Sequence, residues 1–363
     1  MKNNAIKCSF LLSCTFLGAV IGAGFASGKE LTEFFLPFDK KGVFGVFLAC
    51  ILLAAYFYAV TKRVSCENIK STHDYLICIA NPFFAKIIYI FIYVFAFVIF
   101  CAMFAGSGAL FKQIFNFPYF FGSCLMGIIC CIIFYRNIYG ILSANAYLTP
   151  LMILGIFYVG IAAFFRSRAA FFEFGKNGAL ICSSLVYASY NSIIIISVFF
   201  EMGSMLKDKK TPFLSAVISG SVLFAISLVL YLILLFFKEE AQNYELPILQ
   251  IAENAKFFYT AVMFFAMITT AVSSLFSLMK FLENTFSVRK NSAAYICIAA
   301  IFCSFIGFSK MVSFVYPIFG CLGFFLLIYI IGEFFALAIG EKYKSLKIRE
   351  KIKNSKKNGN LIR

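Results

Sequence analysis

Ten apolar runs separated by short polar stretches order this chain, near residues 8–36, 42–61, 84–111, 118–135, 139–165, 178–200, 212–237, 254–280, 293–309 and 311–340. A helix needs roughly 20 mainly apolar residues to cross a bilayer, and these runs are of that order. The pattern predicts an all-α integral membrane protein with about ten transmembrane helices. A single transmembrane domain covers residues 1–340, and a basic tail follows at 341–363. The connections are too short to hold a soluble catalytic domain. Five prolines (Pro37, Pro82, Pro118, Pro212, Pro247) fall at run edges, where helices start or stop. Pro150 and Pro317 fall inside the fifth and tenth runs and predict kinks there.

Two runs have unusual centres. The first contains GAVIGAGFASGKELTEFF, residues 18–35, with Gly18, Gly22, Gly24 and Gly28 followed by Lys29, Glu30 and Glu33. Glycine weakens a helix, and a charge at bilayer depth is costly. Gly18 and Gly22 alone could be a G-x-x-x-G packing motif. Gly24 and Gly28 lie on a different helical face from that pair and fall outside that explanation, whereas a break in the helix accounts for all four. The expectation is non-helical backbone within residues 22–28. Gly22, Ala23, Gly24, Phe25 and Ala26 would line a solute pocket, with Phe25 packing on the solute. A second half-helix would start near 27–29, and its free N–H groups and positive dipole end would suit a carboxylate. Lys29 and Glu30 are candidates for an outer gate, ion-paired across the pathway, or reach the outer interface; Glu33 is read as interfacial.

The sixth run, ICSSLVYASYNSIIIISVFFE at 181–201, is polar at its centre. Tyr187, Ser189, Tyr190 and Asn191 offer hydroxyl, amide and aromatic groups to a small amphipathic solute, or make ordinary interhelical hydrogen bonds. A matching interruption is expected near 188–191, although no glycine or proline lies there. If the chain divides into repeats of about 8–165 and 178–340, these two runs are the first spans of each half. Five spans are an odd number, so the second half inserts upside down. Inverted-repeat transporters bind solute at the midplane between such discontinuous helices.

Composition agrees with a membrane protein. The chain is 62% hydrophobic and 13% charged, against about 25% charged for soluble domains. The net charge of +16 raises nucleic acid as a partner, but its distribution argues against one. With the N-terminus inside and the spans alternating, most lysines and arginines fall on inner segments, which is the positive-inside bias. This predicts a multi-pass protein of the bacterial inner membrane with both termini cytoplasmic and the basic tail against anionic lipid. The outer loop at 166–176 runs against the trend. The 13 cysteines lie mostly in apolar runs, and the one histidine, His73, falls in a polar stretch and is read as a solvated loop residue. No C-x-x-C pair is present, so neither a zinc site nor a disulfide framework is expected. Cysteine here acts as a small hydrophobe, and no cofactor is expected. Lys2 and Lys7 ahead of an apolar run resemble a signal peptide. The run continues through Leu36 and nine more follow, so no cleavage is expected.

The motif GAGFASGKELTEFF, together with AGSGALF at 105–111 and the Tyr190-Asn191 pair, resembles the YkvI-type bacterial membrane proteins, grouped with the amino acid–polyamine–organocation superfamily. The resemblance implies a ten-helix core of leucine-transporter type, with a 5+5 inverted repeat and helices 1 and 6 discontinuous. It implies no particular substrate. Ser107, between Gly106 and Gly108, is read as allowing close helix packing, with a pocket role as the alternative. In the eighth run, AMITTAVSSLFS at 266–277, Thr270, Ser273 and Ser274 share one helical face, and Ser277 extends it. These hydroxyls either bond back to their own helix or form an oxygen cage with span one. The resemblance implies that the cage holds sodium, completed by the carbonyls of Gly18 and Ile21. The fifth run, 139–165, has no lysine or arginine to replace such an ion. Glu201 and Glu333, near inner ends of spans, are candidate proton-coupling groups.

The reading that follows is a sodium-coupled secondary transporter of a small organic solute, an amino acid foremost. Spans 1, 2, 6 and 7 would rock against spans 3, 4, 8 and 9. Proton-coupled transport and a non-transporting solute sensor are the alternatives. An intramembrane enzyme is not expected, because no nucleophile–base pair or His/Asp cluster is present, and a channel lacks its filter segment.

Overall fold

Apolar runs fold as helices because a bilayer offers no partner for a bare backbone amide. The computed structural model describes residues 2–67, 72–136, 141–166, 179–199 and 210–339. Span one comprises α1 (Lys2–Val20), α2 (Ala23–Ala26) and α3 (Lys29–Phe34). Then come α4 (Gly42–Glu67), α5 (Thr72–Ile79), α6 (Pro82–Phe115), α7 (Tyr119–Tyr135) and α8 (Ile141–Arg166). The second half holds α9 (Leu180–Phe199), α10 (Thr211–Phe236), α11 (Lys238–Asn243), α12 (Pro247–Ile251), α13 (Lys256–Phe286), α14 (Ser292–Ser304), α15 (Phe308–Lys310) and α16 (Tyr316–Ile339). Among the described residues, six helical spans are long and apolar enough to cross a membrane, and four shorter apolar helices accompany them: Ile6–Val20, Tyr119–Tyr135, Leu180–Ile196 and Ser292–Ser304.

Sequence punctuation sets the ends. Asn81 caps α6 by accepting the Phe83 N–H, with Pro82 in the first turn. Pro150 sits within α8 without ending it. Before Pro317 the helix widens into a π turn, Met311–Val315, where the missing proline N–H would otherwise disturb a regular ladder.

Two groups of helices form. α1 and α4 both pack with α9 and α10. α6 and α7 pack with each other, and both pack with α13 and α14. α8 bridges α1, α10 and α13, and α16 lies on α9 and α4. The AGSGALF motif is the α6–α7 seam. Ser107 donates to Gly122 O at 2.8 Å, Ser123 donates to Phe104 O at 3.0 Å and Tyr119 donates to Ala105 O at 2.6 Å. A Cβ on Gly122 would overlap the Ser107 carbonyl. Outward-facing positions carry exposed Phe44, Phe83, Phe165, Phe302 and Phe325, as a lipid-facing surface requires.

Three short helices were not visible in the run pattern. α5 packs on α6 with Tyr75, Leu76 and Ile77 buried, so His73 lies in a helix rather than a loop. α11 and α12 occupy what read as a simple connection. Glu201, the loop at 167–178, the tail at 341–363 and the side chain of Glu333 lie outside the described residues.

Candidate functional site

Every backbone polar group freed by a break needs a new partner. At the first junction Ile21 N–H still reaches Leu17 O at 2.7 Å, but Gly22 N–H turns to Val20 O at 2.9 Å. An unbroken helix would have given that donor to Gly18. Gly22 is extended (φ −86°, ψ −169°), and one turn of helix, α2, follows. At the second junction Gly28 is left-handed (φ +80°), a conformation glycine adopts without the cost borne by other residues.

The second junction is closed by other elements. Tyr259 of α13 donates to Ala26 O at 2.7 Å, and Ile248 N–H of α12 bonds Ser27 O at 2.9 Å. Ser27 Oγ donates to Gly24 O at 3.0 Å and accepts from Lys29 N–H at 3.3 Å. The Ile248 side chain fills the space where a Gly28 Cβ would stand, 2.8 Å from its Cγ1. Gln113 of α6 donates to Leu246 O at 3.2 Å and ties α12 down. Sequence reasoning missed α12; its signal was Pro247 ahead of Ile248, Leu249 and Ile251, all buried. On the other side, Gly106 leaves room for Ala23 and Met267, and Gly22 faces Met103. Phe25 and Ala26 are buried in the same turn.

Lys29 and Glu30, the candidate gate pair, take different partners here. They are 5% and 4% exposed. Lys29 Nζ bonds Glu33 Oε1 at 3.0 Å, one turn along the same helix, where i,i+4 spacing brings opposite charges together. Glu30 turns inward. Its Oε2 accepts from the Tyr190 hydroxyl at 2.7 Å. Its carboxyl lies against Gly24, where a Cβ would overlap Oε1 and stand 2.8 Å from Cδ and Cγ. An aromatic wall surrounds it: ring centroids are 5.5 Å apart for Phe34–Tyr190, 5.2 Å for Phe35–Tyr187, 5.4 Å for Tyr187–Tyr190 and 5.1 Å for Tyr190–Tyr316. The first turn of α3 therefore carries its own acid. A solute carboxylate, the guest expected there, would share that turn with the Glu30 carboxyl.

The expected interruption of span six is absent: α9 is one helix through residues 180–199. Its polar side chains bond their own backbone. Ser189 Oγ donates to Leu185 O at 2.6 Å, Asn191 Nδ2 to Tyr187 O at 3.0 Å, and Ser192 Oγ to Ser189 O at 2.7 Å. Such bonds leave the ladder intact. The Tyr187 hydroxyl and Asn191 Oδ1 are nonetheless buried without a hydrogen-bond partner.

In span eight, Thr270 Oγ1 is likewise buried without a partner. Ser273 and Ser274 are half-buried and Ser277 is buried, while Thr269 bonds back to Ala266 O at 3.0 Å. α13 packs on α1, whose Gly18 is half-buried; Ile21, at the first junction, is buried.

No protein-family model matches the chain. It is 27% identical to the Bacillus subtilis membrane protein YkvI over 320 residues, covering 85% of this chain and 91% of that one. It is 28% identical to YyaD of the same organism over 320 residues, covering 86% and 93%. Among solved structures, a Na+-coupled sialic acid symporter in a substrate-bound outward-open state matches with a TM-score of 0.65 and 13% identity, covering 92% of this chain and 79% of that one. The Eremococcus coleocola manganese transporter matches at 0.62 and 10%, covering 96% and 84%. MhsT in complex with L-phenylalanine matches at 0.59 and 16%, covering 94% and 91%. The resemblance to YkvI-type proteins therefore holds, and the fold is of the leucine-transporter type.

Proposed function

We propose that this chain is a cation-coupled secondary transporter of a small organic solute, working by alternating access. The observation that carries the reading is the interrupted first span packed on α9, whose Tyr187 hydroxyl and Asn191 Oδ1 are buried without a hydrogen-bond partner. Buried polar groups are almost always satisfied. Two orphans beside broken backbone fit a site that a polar solute completes. An amino acid is the first candidate, since similar folds include a protein solved with L-phenylalanine. Gly22, Ala23, Gly24, Phe25 and Ala26 from span one, and Tyr187, Ser189, Tyr190 and Asn191 from span six, are the residues assigned to it.

The ten apolar segments form a 5+5 inverted repeat in which only the first half has a discontinuous first helix. Sodium is the proposed coupling ion, held by Thr270, Ser273 and Ser274 with the carbonyls of Gly18 and Ile21. Two features support that assignment: the Thr270 hydroxyl has no partner, and Gly18 O loses its helical donor. Neutral oxygens suit a weakly held monovalent ion better than magnesium or calcium, which favour carboxylates. Both termini face the cytoplasm in this reading.

The test is a thermal-shift screen of the purified protein against amino acids with and without sodium, followed by uptake in proteoliposomes. Accumulation of the stabilising solute under an ion gradient supports transport; binding without accumulation makes the protein a sensor.

A further inference from the structure

We infer that Glu30 is a proton-binding site: its carboxyl is protonated while α12 closes the α2–α3 junction, and it releases the proton when that side opens to water. The inference rests on the transporter reading of the same break but concerns a different group from the sodium set. A bare carboxylate taken out of water is so costly that it is paired, richly hydrogen-bonded, or neutralised by a proton. Glu30 is 4% exposed, and its carboxyl accepts from the neutral Tyr190 hydroxyl rather than from a cation. Among the described residues its carboxyl makes no ion pair, because the adjacent Lys29 ammonium is engaged with Glu33.

Among the described residues, no other element packed on α3 pairs a charge with this carboxyl. α9 contributes Tyr187 and Tyr190, and Tyr316 of α16 packs against Tyr190 with its ring tilted. α2 and the π turn at Met311–Val315 contain no titratable residue. Tyr231 of α10 is bonded to Phe35 O and Asp39 O, and Lys238 of α11 is paired with Asp39. α11 also carries Glu239 and Glu240, which are acidic. The Tyr187 oxygen, buried without a partner, is available to accept from a protonated carboxyl.

Closure and charge are linked by position. The carboxyl packs on Gly24, within the turn whose last carbonyl, Ala26 O, is held by Tyr259, and the next, Ser27 O, by Ile248 N–H. Moving α12 away exposes this junction and hydrates Glu30. The carboxyl O–H bond then breaks, and the proton passes to water on the opened side. Each opening of this side thus releases one proton to water, and each reclosure takes one up from it.

Infrared difference spectroscopy of the whole protein in lipid nanodiscs between pH 5 and pH 9 tests this without a known solute. The expected result is a C=O stretch of a protonated carboxylic acid that persists at neutral pH, where an exposed glutamate is ionised. It is missing in Glu30→Gln and shifted in Tyr190→Phe, which removes the hydroxyl donor. Ile248→Ala, which loosens the α12 closure without adding a carboxyl, moves the loss of the band to lower pH. Spectra of wild type and Glu30→Gln that coincide in this region overturn the proton site whatever Ile248→Ala does. That result leaves the transporter reading standing, whereas a Glu30 band in a protein that never accumulates solute removes transport and keeps the proton site.

Discussion

Span one and span six are the first spans of the two proposed halves, and both place small and polar residues at their centres. Span one breaks twice, at Ile21–Gly22 and Ser27–Gly28, while α9 runs unbroken through Tyr187–Asn191. The difference lies in where each segment's freed hydrogen-bonding capacity goes. Glycine at 22 and 28 supplies extended and left-handed backbone, and Tyr259 and Ile248 collect the released carbonyls. In α9 no residue favours leaving the helix, and Ser189, Asn191 and Ser192 spend their donors on their own helix. α16 holds α9 straight by close approach: a Cβ on Gly320 would stand 2.6 Å from Val186 O. Polarity alone does not break a helix; glycine with an external acceptor or donor waiting does.

The comparison can be broken most severely at Gly28. Gly28→Val forces a β-branched residue into φ +80° and against Ile248. It is expected to cost on the order of 3 kcal/mol, read as a large fall in melting temperature. Tyr259→Phe strands the Ala26 carbonyl and is expected to cost about 1–3 kcal/mol, with faster hydrogen exchange confined to residues near 26–29. On the span-six side, Ala188→Gly should cost only about 1 kcal/mol and leave exchange protection across α9 continuous. A second break opening there would show that the two spans differ by less than the hydrogen bonds suggest. Ser274→Ala should change stability by no more than about 0.5 kcal/mol. It should raise the sodium concentration for half-maximal uptake and leave solute affinity at saturating sodium nearly unchanged. Uptake that ignores sodium would remove Thr270, Ser273 and Ser274 from the coupling-ion assignment.

Much of the fold was legible because the apolar runs are long and their prolines mark ends: the predicted run 84–111 became Pro82–Phe115, and 212–237 became Thr211–Phe236. The glycines of span one pointed to the interruption, since a single packed face does not need Gly18, Gly22, Gly24 and Gly28 together. Tertiary partners were hidden. Glu30 reads as half of a gate with Lys29, and nothing local reveals that Tyr190, 160 residues away, takes its carboxyl. The apolar residues of α12 were too few to register as a span, yet they bury against the break. The polar centre of span six misled because serine and asparagine can satisfy themselves on a helix as readily as they can line a gap.

The central claim is that solute binds at the break in span one, and Gly24 tests it most directly. Its missing Cβ is the space that the Glu30 carboxyl occupies, so Gly24→Leu displaces that group and fills the pocket together. Uptake of the solute found by thermal shift should be measured in proteoliposomes of wild type and Gly24→Leu, with folding of both verified by circular dichroism. The wild type is predicted to accumulate solute under an imposed ion gradient, and folded Gly24→Leu to accumulate none. A folded Gly24→Leu that accumulates solute at the wild-type rate would contradict the account and place the solute elsewhere in the bundle.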